Sequence, residues 1–190
     1  QESGFDFDAA KERVKEALRL SETWRDYAKQ DYEFVQGKQW TDSDLSNMRR
    51  AKRPAITINR IRPIINLLCG YAAQNETEPD FLPRSEEDDR VSRVAKGITK
   101  YVFDKSKYQK AKKKAFRDAV TCGVGYYWIT YAFDYKKMDG TIKIENVSPF
   151  DVFIDPESVQ DDLSDSAFCG RYTWESPDKL CLIYPEHADE

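Results

Sequence analysis

The chain has 190 residues, of which 40% are hydrophobic and 13% aromatic, and this composition excludes global disorder. Its net charge of −4 excludes an overall basic field that would attract nucleic acid, so any contact with DNA must be local. The sequence contains no apolar run near the roughly 20 residues that a membrane span needs, and no targeting signal.

The first predicted element is one long helix over residues 5–37. Asp8 is its expected N-cap, and Gly37 suits the position just after its end. Apolar side chains recur at helical spacing, so we expect one stripe to pack and the remaining surface to face water. The predicted stripe consists of Val14, Ala17, Leu18, Ser21, Trp24, Ala28, Tyr32 and Val35.

Two shorter helices are predicted next. Thr41 and Asp44 have the spacing of a capping box, and the helix that they begin must stop before Pro54. After an extended piece at 55–58, Pro63 suits the first turn of an apolar helix. The predicted buried face of that helix is Ile61, Ile64, Ile65, Leu68, Tyr71 and Ala72.

The acidic run that follows Ser85 predicts a further helix start. A break is expected near 104–106, because Ser106 and Gln109 have capping-box spacing. The helix after that break should run to about Thr121 and end at Gly123. The apolar stripe of the helix before the break is Val91, Val94, Ile98, Tyr101 and Val102.

Residues 126–135 alternate in polarity and predict a strand. Asp139-Gly140 predicts a hairpin turn, and 141–147 the return strand. Further strands are expected at 151–154 and 167–174, and Ser176-Pro177 should open a last helix. The predicted buried face of the first strand is Tyr127, Ile129, Tyr131 and Phe133.

Helices come first and strands second, which predicts an α+β fold: several helices, one long and N-terminal, packed around a small, mostly antiparallel β-sheet. We expect a helical part at 1–122, a β-hairpin and small sheet at 123–175, and the truncated start of a further helix at 176–190. The chain begins at Gln1 and stops directly after a helical signal, so we expect a fragment of a longer polypeptide.

Two basic clusters are candidate DNA- or subunit-contacting surfaces. Segment 105–117 has seven basic and no acidic residues, and a helical wheel places five of its cations on one arc. In both clusters the ordinary alternative is a solvated helix surface. The arc is Lys107, Lys110, Lys113, Lys114 and Arg117. The second cluster is Arg49, Arg50, Lys52, Arg53, Arg60 and Arg62.

An acid-rich segment follows the predicted hairpin. Its spacing does not match a calcium-binding EF-hand, so turn formation by the aspartates is the favoured interpretation. The acids are Asp151, Asp155, Glu157, Asp161, Asp162 and Asp165.

The sequence predicts no catalytic, metal or cofactor site. It lacks a phosphate-binding GxxxxGK[ST] loop, and its one histidine, His187, is near the end of the chain. The four cysteines form no CxxC pair, so free thiols are predicted, with disulfides as the alternative.

A series of short motifs runs in order along the chain: FVQGKQW at 34–40, RPAITIN at 53–59, an apolar helix at 61–71, then Asn75, Pro79 and Pro83, AFRD at 115–118, GVG at 123–125, IENVSPF at 144–150, FIDP at 153–156, and residues 161–167. This order resembles the N-terminal part of the portal proteins, or head-to-tail connectors, of short-tailed double-stranded DNA phages. The resemblance covers about residues 10–185.

The resemblance implies a wing-like part of a subunit in a twelve-fold ring at one capsid vertex. The implied partners are other copies of the subunit, the terminase motor, capsid and tail proteins, and double-stranded DNA in the channel, with no membrane and no cofactor. The implied location is the virion, after synthesis in the bacterial host cytoplasm. The alternative function is a nucleic-acid-binding module that uses the local basic helix faces.

Overall fold

A computed structural model of the chain describes residues 7–75, 79–85, 88–134, 138–160 and 162–183. Across these ranges six helices precede two separate pairs of antiparallel strands and a seventh helix follows them, which confirms the α+β prediction. Glu86 and Glu87 of the acidic run after Ser85 lie outside these ranges, as do Asp161 and His187. The elements are α1 (Phe7–Leu20), α2 (Glu22–Gln36), α3 (Asp42–Arg50), α4 (Ile61–Gln74), α5 (Asp89–Ser106), α6 (Tyr108–Cys122), β1 (Tyr126–Asp134), β2 (Asp139–Val147), β3 (Val152–Ile154), β4 (Cys169–Arg171) and α7 (Pro177–Ile183).

The prediction of one long N-terminal helix is wrong at Ser21, which separates α1 from α2. The Ser21 hydroxyl donates a hydrogen bond to the Leu18 carbonyl, and such a bond competes with regular helix geometry. Asp8 lies inside the first turn and is not the N-cap. The predicted stripe is confirmed, since Ala17, Ala28 and Val35 are buried and its other members are half-buried.

The chain divides into two compact units. The terminal unit comprises Gln1–Glu22 and Phe150–Glu190, and the central unit is Thr23–Pro149. In the terminal unit α1 packs against β3, which pairs with β4. The Phe153 ring covers Gly170 on the opposite strand, where a Cβ atom would lie only 2.4 Å from the ring.

Helix α6 is the centre of the central unit and packs against α4, α5 and the hairpin. Its buried residues are Ala111, Ala115 and Cys122. A Cβ atom on Gly125 would lie 2.0 Å from the Ala115 carbonyl oxygen, so the chain entering β1 touches the helix backbone. Gly123 ends α6 at a φ of 89°, in the left-handed region, as the sequence predicted.

The two predicted capping boxes have different outcomes. At α3 the box is confirmed, because the Thr41 hydroxyl accepts from the Asp44 amide and the Asp44 carboxylate accepts from the Thr41 amide. The box at Ser106 is wrong, although the helix break there is confirmed. Lys107 turns the chain at a φ of 54°, and the Ser106 hydroxyl donates back to the Phe103 carbonyl.

The hairpin is confirmed, but its turn is not at Asp139-Gly140. Asp139 pairs with Asp134, so Asp139 and Gly140 both lie in β2. Gly140 has a different role, because a Cβ atom there would lie 1.6 Å from the Tyr131 hydroxyl. The glycine admits an aromatic side chain across the strand pair.

The predicted burial of the β1 face is wrong. Tyr127, Ile129, Tyr131 and Phe133 are 41%, 67%, 69% and 41% exposed. Ile144, the cross-strand partner of Ile129, is buried on the same face. Helices α5 and α6 pack mainly on β2, so they cover the β2 half of this face and leave the β1 half open.

Candidate interaction surfaces

The basic arc on α6 is solvent-exposed along its length. All five of its cations are exposed, while Ala111 and Ala115 on the opposite side are buried. For Lys110, Lys113, Lys114 and Arg117 this two-sided helix agrees with the predicted wheel, whereas Lys107 lies just before α6 at a positive φ. Lys107, Lys110, Lys114 and Arg117 form no ion pair with any described residue. A role of the arc in contacting DNA or another subunit stays a prediction.

The second basic cluster is also exposed and spans the end of α3, the connection and the start of α4. Helix α4 approaches α6 near Cys69 and Ala73, which line a groove between the two helices. Arg62 precedes Ala73 by eleven residues, or about 16 Å of helix axis. The second cluster therefore lies at the end of α4 remote from that part of the groove.

The aspartates of the acid-rich segment build turns, as predicted. Asp155 is buried, and its two carboxylate oxygens accept from the Glu157 amide at 3.0 Å and the Ala167 amide at 2.9 Å. Asp165 accepts from the Val159 amide at 2.7 Å. In the described ranges no group of three His, Cys, Asp or Glu side chains could hold a metal ion.

Two carboxylates of this segment are exposed and held in their ionised form. The Ser164 backbone amide lowers the pKa of Asp162, and the Val159 backbone amide does the same for Asp165. Hydrogen bonds to a carboxylate favour the charged state. The segment therefore presents fixed negative charge to solvent.

A polar network in the central unit was missed by the sequence analysis. Asp118 on α6 accepts from the Tyr32 hydroxyl of α2 at 2.7 Å and from the Asn146 side-chain amide of β2 at 3.2 Å. The Cys122 thiol donates to the Asp118 carbonyl at 3.2 Å. Burial and the bond to Asp118 raise the pKa of Tyr32, so this phenol stays protonated.

Two further hydrogen bonds join segments that are distant in sequence. The Asn59 side chain donates to the Val35 carbonyl at 2.9 Å and accepts from the Arg62 amide at 3.0 Å. The Trp40 indole donates to the Thr57 hydroxyl at 3.0 Å. The end of α2 is thereby tied to the segment that leads into α4. With Asp118 and Asn146, these residues lie in the motifs that carry the resemblance.

Two helices of the central unit expose apolar faces. On α4 only Ile65 of the predicted buried face is buried, and Ala72 is half-buried. The remainder of that face is open, together with Leu67 at 72% exposure. Large exposed apolar patches are a common feature of interaction sites in proteins. The exposed residues are Ile61, Ile64, Leu67, Leu68 and Tyr71 on α4, and Val91, Val94, Ile98 and Tyr101 on α5.

A groove between α4 and α6 adds to this apolar surface. Its volume is about 280 Å³, and Lys112 and Lys113 are among the residues that line it. Most of the residues that line the groove have small side chains. An apolar side chain of a partner protein could therefore fit into it. The lining also includes Gly125 and Tyr127, and its apolar helix residues are Cys69, Ala72, Ala73, Ala115, Phe116 and Ala119.

The described part of the chain combines exposed apolar helix faces, a basic arc and motifs joined by hydrogen bonds. The model of the family "Phage P22-like portal protein" matches residues 11–190. The chain belongs to this family, as its motif order predicted. No curated protein matches the chain significantly. The family is structural and not enzymatic, and its members are components of the virion capsid.

The remaining sequence expectations concern cysteines and membranes. Cys69, Cys122, Cys169 and Cys181 are free thiols, as predicted. No helix in the described ranges is long and apolar enough to cross a membrane.

Proposed function

We propose that the chain forms part of a subunit of the portal ring at one capsid vertex. Viral DNA is packaged and ejected through this ring, and the tail attaches to it. The observation that carries the proposal is membership of the portal family over residues 11–190. The ring contains twelve copies related by rotation, so each subunit contacts its neighbours through two different surfaces.

The exposed apolar faces of α4 and α5 support assembly into a larger structure. Leu67 and Val91 are 72% and 66% exposed. A partner that covers such side chains would gain about 25 cal/mol of hydrophobic free energy for each Å² of apolar surface that it removes from water. A closed ring with attached capsid and tail proteins offers many partner surfaces of this kind.

The chain has a structural role in DNA transport, and a separate motor protein hydrolyses ATP. Its sequence lacks the loop that cradles nucleotide phosphates. The terminase motor supplies the energy from ATP, and the ring guides the duplex. Cations that touch the passing duplex must contact phosphates, because phosphate contacts are blind to sequence and allow sliding.

Reconstruction of phage particles without imposed symmetry tests this proposal. The protein is labelled with a small tag at an exposed residue such as Lys11, and the label is located in the particle. We expect label density in a ring at a single vertex that also bears the tail. Label spread over all vertices, or along the packaged DNA, would contradict the proposal.

The second candidate function is nucleic-acid binding by the exposed arc on α6. Such binding would be weak and independent of sequence, and it would fall steeply between low and physiological salt. Replacement of Lys107, Lys110 and Lys114 by glutamine tests it. Loss of low-salt DNA binding by the variant would favour this function, whereas unchanged binding, or no binding by the parent protein, would exclude it.

A further inference from the structure

Charge is divided unequally along the chain. The central unit has twenty-four basic and seventeen acidic residues, while the terminal unit has six basic and seventeen acidic residues. The small net charge of −4 is therefore a balance between a basic and an acidic part. Two copies of the chain can attract each other strongly if opposite parts meet.

The basic surface has the features of a protein interface. Lys113 belongs to the arc and also lines the apolar groove between α4 and α6, so charge and apolar surface adjoin on one helix. Phe116, from the same helix, lines the groove as well. Protein interfaces combine an apolar core with a polar rim, whereas contacts to DNA are mainly polar and charged.

The acidic surface is preorganised. Asp162 and Asp165 are exposed, and their turns are fixed by hydrogen bonds from Ser164 and Val159. Glu157 is exposed in the same segment. A rigid, charged loop loses little conformational entropy when it is bound, which favours association.

We propose that the basic arc binds the exposed acids Glu157, Asp162 and Asp165 of a second copy of the chain. The contact is heterologous, because one copy offers its arc and the next copy its acidic segment. Repetition of such a contact around an axis closes a ring. This inference rests on the proposed portal function and identifies the surfaces that join neighbouring subunits.

Charge-reversal variants of the intact protein test the contact. The arc variant carries Lys107→Glu, Lys110→Glu and Lys114→Glu, and the acid variant carries Glu157→Lys and Asp162→Lys. Close charge pairs at interfaces have large coupling energies, so we expect each variant alone to self-associate at least about tenfold more weakly than the parent protein. An equimolar mixture should recover assembly, because each altered surface then meets an opposite charge.

The matched control changes three exposed cations on α1 and α2: Lys11→Glu, Arg13→Glu and Lys29→Glu. It alters net charge as much as the arc variant does and should leave assembly unchanged. Sedimentation velocity reports the assembly, and circular dichroism verifies that each variant is folded. If a reversed variant is unfolded, glutamine or asparagine at the same positions gives a milder version, for which weaker assembly is again expected.

The outcomes separate the possible explanations. Rings that persist in both charge variants would overturn the contact. If the arc variant assembles normally but loses low-salt DNA binding, the arc serves DNA and the inference is wrong. If the intact protein without substitutions forms no ring at all, the proposed function is wrong, whatever the variants do. If both variants are folded but their equimolar mixture does not assemble, the proposed contact is also contradicted.

Discussion

The Tyr32 hydroxyl donates a 2.7 Å hydrogen bond to the Asp118 carboxylate across 86 residues of sequence. Asn146 donates to the other oxygen of the same carboxylate. One half-buried carboxylate thereby connects α2, α6 and β2. Removing it would leave a phenol and an amide without this acceptor in the interior of the central unit.

Replacement of Asp118 by alanine should destabilise the protein by about 2–3 kcal/mol, because hydrogen bonds to charged groups contribute more than neutral ones. Tyr32→Phe removes only one donor and should cost about 1 kcal/mol. Urea denaturation measures both changes. Equal stability of Asp118→Ala and the parent protein would show that the network is not important for the fold.

Alkaline pH should weaken the same region. The pKa of Tyr32 is raised above its ordinary value of 10.0, so the phenol's contribution to stability is fully present below pH 10.0 and is lost as pH rises through the folded-state pKa. Burial raises the pKa of Tyr126 in the same direction. The urea concentration at the unfolding midpoint should therefore decrease as the pH is raised above 10.0. It should decrease less steeply in Tyr32→Phe. An exposed tyrosine changed in the same way, Tyr27→Phe, is the control.

Two glycine-to-alanine substitutions should have opposite effects. Gly125→Ala places a Cβ atom 2.0 Å from the Ala115 carbonyl oxygen, so β1 or α6 must move and stability should fall by several kcal/mol. Gly97→Ala is in the middle of α5 with no atom within 4 Å, and it should stabilise by about 0.5–1 kcal/mol through helix propensity. Thermal unfolding of both variants measures the difference; equal melting temperatures would contradict the packing described for Gly125.

Acidification should loosen the turn that Asp165 holds. Its pKa is lowered from 3.8 by the Val159 amide, so the stabilisation is present above pH 3.8 and is lost as pH falls through the lower folded-state pKa. Asp165→Ala should produce the loosened turn already at neutral pH. Proteolysis near 158–165 should then be faster than in the parent protein, with Glu175→Ala as a control outside the turn.

Glutamate substitutions on the exposed apolar face of α5 should reduce the yield of rings without unfolding the subunit. Val94 and Ile98 are 54% and 58% exposed, so Val94→Glu and Ile98→Glu remove little buried surface within the chain. We expect the double variant to keep its circular dichroism spectrum and to form fewer rings. Normal ring yield would show that this face has no partner in the assembly.

Local signals in the sequence predicted most helix boundaries. Gly123, the Thr41 capping box and the Pro63 helix start depend on neighbours within a few residues, and the structure confirms all three. Local signals failed at Ser21 and Ser106, and a further error arose where tertiary context decides. Asp139-Gly140 looked like a turn, but the position of Tyr131 over Gly140 fixes a different register.

Burial and hydrogen-bonded networks were harder to predict. Alternation correctly grouped Ile129 with its neighbours on one strand face, but it cannot show that the helices cover β2 and leave β1 open. The bond between Tyr32 and Asp118 joins residues that are remote in sequence, and no local pattern encodes it. Several polar residues of the motifs, among them Asn59 and Asp118, make such remote bonds.

The mass of the assembly formed by the intact protein tests the central claim most directly. A portal subunit should give a closed ring of twelve copies in native mass spectrometry and in electron micrographs. A protein that stays monomeric or dimeric at every concentration and salt condition, and shows no ring in micrographs, would contradict the account.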